Sequence, residues 1–268
     1  MSSANSLTGA ATTNVSPTGT LSDMPTALER TLIVMPAFNE EEAVGNVIRE
    51  VFAALPGVHC LVVNDGSTDN TTAVARAAGA LVAELPVNLG VGGAMRLGFK
   101  YALSHGFDNV VQIDSDGQHN PASVVDLVNR LDVADLVIGA RFAGEGEYEA
   151  RGPRRWAMTL LAAILSRTAH TKLTDTTSGF KASGPRAVHL FAQHYPAEYL
   201  GDTIEALVIA ARSGCVIEQV PVSMRVRAGG TPSHNPLRAA AYLGRAFIAL
   251  CFALIRPSVP LRAKSETP

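Results

Sequence analysis

Asp114 and Asp116 stand one residue apart at the end of an apolar run, Asn109-Val-Val-Gln-Ile113, that reads as a β-strand. Side chains alternate along extended backbone, so both carboxylates are expected to point the same way. Paired hard oxygen donors suit Mg2+ or Mn2+, which favour carboxylate, phosphate and water ligands. An Asp-x-Asp at a strand end is therefore placed to hold a divalent cation against a diphosphate.

Other polar residues fall at comparable positions. Phe38, Glu40 and Asp65 follow apolar runs and would line the base and ribose part of a nucleotide crevice, with the carboxylates accepting from ribose hydroxyls or a base N–H. The same carboxylates are equally suited to helix and turn capping with no ligand at all. The stretch Asn88-Leu-Gly-Val-Gly-Gly-Ala94 opens a helix and would offer amides to an anion. It lacks both the Lys-Ser/Thr of a P-loop and the position of a dinucleotide fingerprint, so a tight turn explains it as well.

The elements that must position these residues alternate. Thr31-Leu-Ile-Val-Met35 is a short strand ended by Pro36, and a helical pattern runs over residues 40–55. Cys60-Leu-Val-Val63 is a second strand, followed by a helix from near Asp69, where Ser, Thr and Asp supply caps. Ala80-Leu-Val-Ala83 is a third strand, with a helix over residues 92–104. The strand before Asp114 is the fourth and Leu136-Val-Ile-Gly139 the fifth. This order predicts an α/β fold with a mostly parallel central sheet flanked by helices. Right-handed crossovers bring the loops after successive strands to one edge, where open α/β sheets bind nucleotides.

Composition bounds the rest. A chain of 268 residues, 47% hydrophobic and 17% charged, has enough apolar residues for a substantial core. A net charge of −2 gives no basic field for nucleic acid. Cys60, Cys215 and Cys251 lie far apart with no Cys-x-x-Cys, so buried thiols in a reducing, intracellular compartment are expected rather than zinc or disulfides. Residues 1–28 are rich in Ser, Thr, Ala and Gly without apolar periodicity and read as a disordered tail, not a signal peptide. Residues 238–256 read as an amphipathic helix, too short in clean apolar sequence to span a bilayer but able to rest on one or to pack on the core. Residues 257–268 form a second tail.

Four motifs in order, Pro36-Ala-Phe-Asn-Glu40, Asn64-Asp-Gly-Ser-Thr-Asp69, Asn88-x-Gly-x-Gly-Gly-Ala94 and Asp114-Ser-Asp-Gly-Gln-His119, resemble glycosyltransferase family 2, whose members are inverting enzymes with a GT-A fold. Asp175-Thr-Thr-Ser-Gly-Phe180 and a later Arg-rich turn resemble its dolichyl-phosphate mannose synthase branch. The resemblance covers roughly residues 30 to 237 and implies a single Rossmann-like GT-A domain over residues 29–237. It implies that Pro36, Phe38, Glu40, Asp65 and Asp114 bind a UDP- or GDP-sugar donor. Asp114, Asp116 and Gln118 would ligate Mg2+ or Mn2+. Arg141, Arg154, Arg155 and Ser178 would face the acceptor. Arg227, Gly230 and Ser233 fit an Arg-x-x-Gly-x-Ser-Lys element that closes over the donor diphosphate, with Ser233 also counted among the acceptor contacts. Here that element is one residue longer, and His234 stands where Lys is usual.

The acceptor decides the chemistry. A sugar hydroxyl needs a general base, and Asp202 and Glu205, three apart in Gly201-Asp-Thr-Ile-Glu205, are the candidates. A phosphate monoester needs none, because its second pKa is about 6. Arg141, Arg154, Arg155, Arg225 and Arg227 exceed what one diphosphate requires, and guanidinium pairs well with phosphate. The expectation is a metal-dependent inverting transferase moving a hexose to a polyprenyl phosphate, with Asp116 and Arg227 in catalytic roles, peripheral on the cytoplasmic face of a membrane. Transfer to a saccharide hydroxyl in cell-surface polysaccharide assembly is the alternative, and a non-catalytic GT-A scaffold at a membrane is the reading of another class.

Overall fold

The computed structural model describes residues 24–141, 153–196 and 202–225. Among them, β1 (Thr31–Ala37), β2 (His59–Asn64), β3 (Leu81–Glu84), β4 (Asn109–Gln112), β5 (Leu136–Arg141), β6 (Lys181–Ser183) and β7 (Ile217–Val222) form one sheet in the order β3-β2-β1-β4-β6-β5-β7. Pairing is parallel except at β6, which runs antiparallel to both β4 and β5. The helices are α1 (Met24–Glu29), α2 (Val44–Ala54), α3 (Thr71–Ala77), α4 (Gly90–Ser104), α5 (Val124–Arg130), α6 (Pro153–Ala169), α7 (Pro185–His194) and α8 (Asp202–Arg212).

The two faces of β1 explain the layering. Every residue of this strand is buried. Leu32 and Val34 pack with Met95, Phe99, Phe191 and Leu207 under α4, α7 and α8, whereas Ile33 and Met35 pack with Val44, Ile48, Val51 and Leu127 under α2 and α5. A strand covered on both sides reads as a continuous apolar run, which is why Thr31-Leu-Ile-Val-Met35 shows no alternation.

β1 runs two residues further than its sequence suggests and contains Pro36. Val34 and Pro36 present their carbonyls toward β4, accepting from Ile113 N at 3.1 Å and Ser115 Oγ at 3.2 Å. The amide that proline lacks therefore falls where the ladder with β4, which stops at Val34↔Gln112, has already ended. The five expected strands are all present with ends shifted by one or two residues. β6 and β7 are additional: β6 has three residues, and β7 carries Pro221. Cys60 and Cys215 are buried free thiols, whose burial pushes each pKa up to about 12.

Candidate active site

The chain steps outward from β1 through β2 to β3, then returns to β4 on the other side of β1. Loops after β1 and β4 diverge at such a reversal and leave a crevice at the carboxyl ends of the strands. A cleft of about 240 Å³, open to solvent, lies there. Its walls are Pro36, Ala37, Phe38 and Glu40 after β1, Asp65 after β2, Val91 at the start of α4, and Asp114, Ser115 and Asp116 after β4. All six sequence-derived donor and metal residues from Pro36 to Asp116 thus meet in one place. Gln118 is not among the lining residues.

Asp114 and Asp116 reach the cleft by a different route from the one expected. β4 ends at Gln112, so strand alternation does not align them; they sit in a turn that closes at Gly117, with φ of +76°. Asp116 Oδ1 accepts the Gln118 amide at 3.1 Å, a local Asx turn. Asp114 is held from behind. Its amide donates to His119 Nδ1 at 3.1 Å, which leaves the imidazole proton on Nε2, 3.6 Å from Asp114 Oδ2. His119 is 2% exposed and stacks on Phe180 with centroids 4.8 Å apart. Gln112 Nε2 donates to Asp114 Oδ1 at 3.2 Å. A Cβ on Gly179 would lie 2.9 Å from Asp114 Oδ2, so only glycine lets the 175–180 segment pass this close to the carboxylate.

No group of three His, Cys, Asp or Glu side chains suited to a metal occurs among the described residues. Two carboxylates on an open cleft nevertheless fit Mg2+ or Mn2+, which bind through one or two carboxylates and complete their shell with phosphate oxygens and water.

The loops after β1 and β2 are locked together. Ser67 Oγ accepts the Asn39 amide, Asn39 Oδ1 accepts Thr68 N, Thr71 Oγ1 accepts Glu40 N, and Glu41 Oε2 accepts Asn70 N, all at 2.9 Å. Phe38 is left 45% exposed at the cleft wall. Asp65 is buried, and its two oxygens accept Leu89 N at 2.7 Å and Gly90 N at 2.8 Å, so it caps α4 from a distant loop. Burial raises its pKa while these amides pull it down. The glycine-rich turn's first amides are therefore taken, and the anion cradle expected of Asn88–Ala94 is not available at Leu89 and Gly90.

On the other side of Asp114 lies a second polar group. Asp202 opens α8 with Oδ2 buried and, among the described residues, without a hydrogen-bond partner. Burial raises its pKa, Lys181 and the Thr203 amide lower it, and Asp114 raises it, so the three charges share one end of the sheet. Glu205 is half-buried one turn later. Ser178 is buried and donates its hydroxyl to Gly139 O at 2.7 Å, fastening the 175–180 segment to β5 rather than lining the cleft. Arg225 is turned away from the cleft, donating to Glu50 Oε2 at 2.6 Å and Asn120 Oδ1 at 3.3 Å, which removes it from the phosphate-binding set.

Arg141 ends β5, and Arg154 and Arg155 fall in the first turn of α6. Arg227, Gly230, Ser233, His234 and the 238–256 segment lie outside the described residues. Sequence reasoning missed Ser115, His119, Gly179 and Lys181 as working parts of the site. His119 closes the Asp114 motif and Lys181 directly follows Phe180, so adjacency to a motif was the available signal.

Residues 32–190 match the family Glycosyl transferase family 2. The polyprenol monophosphomannose synthase of Mycolicibacterium smegmatis is 34% identical over 176 residues, 58% of this chain and 61% of that protein. The undecaprenyl-phosphate mannosyltransferase of Micrococcus luteus is 31% identical over 206 residues, covering 72% and 83%. The dolichyl-phosphate hexose transferase of Haloferax volcanii is 30% identical over 225 residues, covering 82% and 92%. Among solved structures, glucosyl-3-phosphoglycerate synthase from Mycobacterium tuberculosis, in complex with Mn2+, uridine-diphosphate and phosphoglyceric acid, superposes with a TM-score of 0.68 at 26% identity, over 89% of this chain and 84% of that one.

Proposed function

The chain belongs to glycosyltransferase family 2 and has the GT-A fold, and from that premise we propose that it moves a hexose from a nucleotide-diphosphate sugar to a polyprenyl phosphate, with inversion. What supports this is the cleft at the β1–β4 switch, where Asp114 and Asp116 share walls with Phe38, Glu40 and Asp65. The Phe38 ring and Pro36 offer the nucleobase an apolar wall. Glu40 and Asp65 accept from the ribose or base; Asp65 keeps spare lone pairs beyond the two amides it holds. Asp114 and Asp116, with Gln118, would hold Mg2+ or Mn2+, which when bound neutralises charge on the leaving diphosphate. Arg227 would add to that neutralisation.

The acceptor assignment draws on the three relatives, whose names specify polyprenol, undecaprenyl-phosphate and dolichyl-phosphate. A phosphate monoester, with a second pKa of about 6, attacks the anomeric carbon as an anion without a base. Arg141, Arg154 and Arg155 would steer it, with Ser233 as a further contact, whereas Ser178 serves to hold the 175–180 segment. No helix among the described residues is long and apolar enough to cross a membrane. Residues 238–256 would bring the enzyme to a lipid surface as an interfacial helix, on the cytoplasmic face.

One observation favours a hydroxyl acceptor instead: Asp202 lies close enough to Asp114 for the two charges to interact, with a buried carboxylate oxygen that has no partner among the described residues. Incubating the wild type and Asp202→Asn with Mn2+ and UDP- and GDP-sugars, with and without short-chain polyprenyl phosphate, separates the two. Lipid transfer by both proteins is expected. Donor hydrolysis without lipid transfer by the wild type, slowed by about 10²-fold or more in Asp202→Asn, would move the acceptor to a hydroxyl and make Asp202 its general base.

A further inference from the structure

Lys181 is a lysine in the middle of a sheet. It sits in β6 between Gln112 of β4 and Ile138 of β5, and cross-strand partners share a face, so its side chain points toward the layer of α4, α7 and α8. It is 6% exposed, and its ammonium nitrogen is buried without a hydrogen bond among the described residues. The side chain borders a void of about 10 Å³ with Met95, Phe99, Phe191, Tyr195 and Leu207, space for one water at most.

A cation in such a place is costly, and an apolar chain of similar length would fill the volume. Its surroundings explain why it is a cation. Asp202, Asp114 and Asp175 all act on it. It pairs across strands with Gln112, whose side-chain amide holds Asp114 Oδ1; burial lowers its pKa to about 8, and the three carboxylates work against that and favour the ammonium. The Tyr195 phenol beside it is held well above its usual range by burial and by Asp202 and Asp114. Lys181 is the cation that acts on Asp202, against the charge of Asp114.

Resting on the phosphate-acceptor reading above, we propose that Lys181 is a positioning residue for the anionic acceptor: from beneath the site it balances Asp114 and Asp202, so that a second anion can enter beside a carboxylate pair that must itself stay charged. It touches neither substrate and acts through its field.

The proposal makes two effects of opposite sign. Lys181→Met removes the charge at similar volume. The KM for a short-chain polyprenyl phosphate at pH 7 should rise on the order of tenfold, the effect of one unit charge acting across roughly 10 Å of protein. Mn2+ binding to the donor-free protein, followed by electron paramagnetic resonance of free Mn2+, should tighten at least about threefold, because a competing positive charge near Asp114 is gone. A merely structural lysine would loosen both on substitution, and a folded variant with unchanged acceptor KM or weaker Mn2+ binding overturns the proposal. Lys181→Gln is measured alongside, and failure of both variants to fold would make Lys181 a folding residue and equally overturn it. A wild type that transfers nothing to polyprenyl phosphate overturns the acceptor reading instead, while the Mn2+ arm still reports the charge beside Asp114.

Discussion

At Asp114 the backbone and the side chain are restrained by different neighbours. His119 fixes the amide, Gln112 one carboxylate oxygen, and Gly179 leaves the other room. A ligand carboxylate oriented in this way loses metal affinity when its support goes, by about 10–100-fold. His119→Ala should therefore weaken Mn2+ binding to the donor-free protein by about that factor. A titration indistinguishable from wild type would mean that the turn holds itself. The Asp114/Asp116 pair was legible because two carboxylates in one short motif are a local signal. What holds them was not: His119 acts on a residue five positions earlier, and Gly179 arrives from a segment more than sixty residues away. The expected alternation along a strand was also wrong in mechanism, since β4 stops at Gln112 and a turn brings the two together.

Helix α4 shows how one element depends on another's loop. It starts at Gly90, with Leu89 at its N-cap and no side-chain cap of its own. Asp65, reaching over from the end of β2, accepts the Leu89 and Gly90 amides instead. Asp65→Ala would leave the Leu89 amide without its cap and the Gly90 amide with Asn88 Oδ1 alone, and should cost about 1 kcal/mol of stability, read as a lower urea midpoint. An unshifted midpoint would remove Asp65 from the role of cap and leave it to the donor alone. The sequence pattern pointed to β1 to β5 and to α2, α3 and α4, though not to the seven-residue α5, because a doubly covered strand and an amphipathic helix both write their burial into adjacent residues. It did not find β6 or β7. A strand of three residues that buries a lysine has no pattern to read, and Pro221 argues against a strand in Ile217–Val222 until the neighbouring β5 is seen to pair with it.

Across the whole molecule, burial works against ionised groups at one end of the sheet: it raises the pKa of Asp65 and Asp202 and lowers that of Lys181. None of these is how a protein gains stability, and sites that hold such groups trade stability for chemistry. Lys181 makes the trade measurable. Its pKa falls from 10.5 to about 8 on folding, with burial the larger cause and the carboxylates opposing it. Between those values the unfolded chain carries the proton and the folded chain has released it, so stability rises with pH across that window. Below about 8 both states are protonated and the cost of burying the charge is present in full. Lys181→Met, which has no charge to bury, should therefore melt above the wild type at pH 7, and the gap should close as pH rises through 8 toward 10.5. Thermal melts of both proteins over that range test this. A gap that stayed constant would mean that the ammonium is solvated or paired in the folded protein, and that its charge is not held against the cost of burial for the sake of the site.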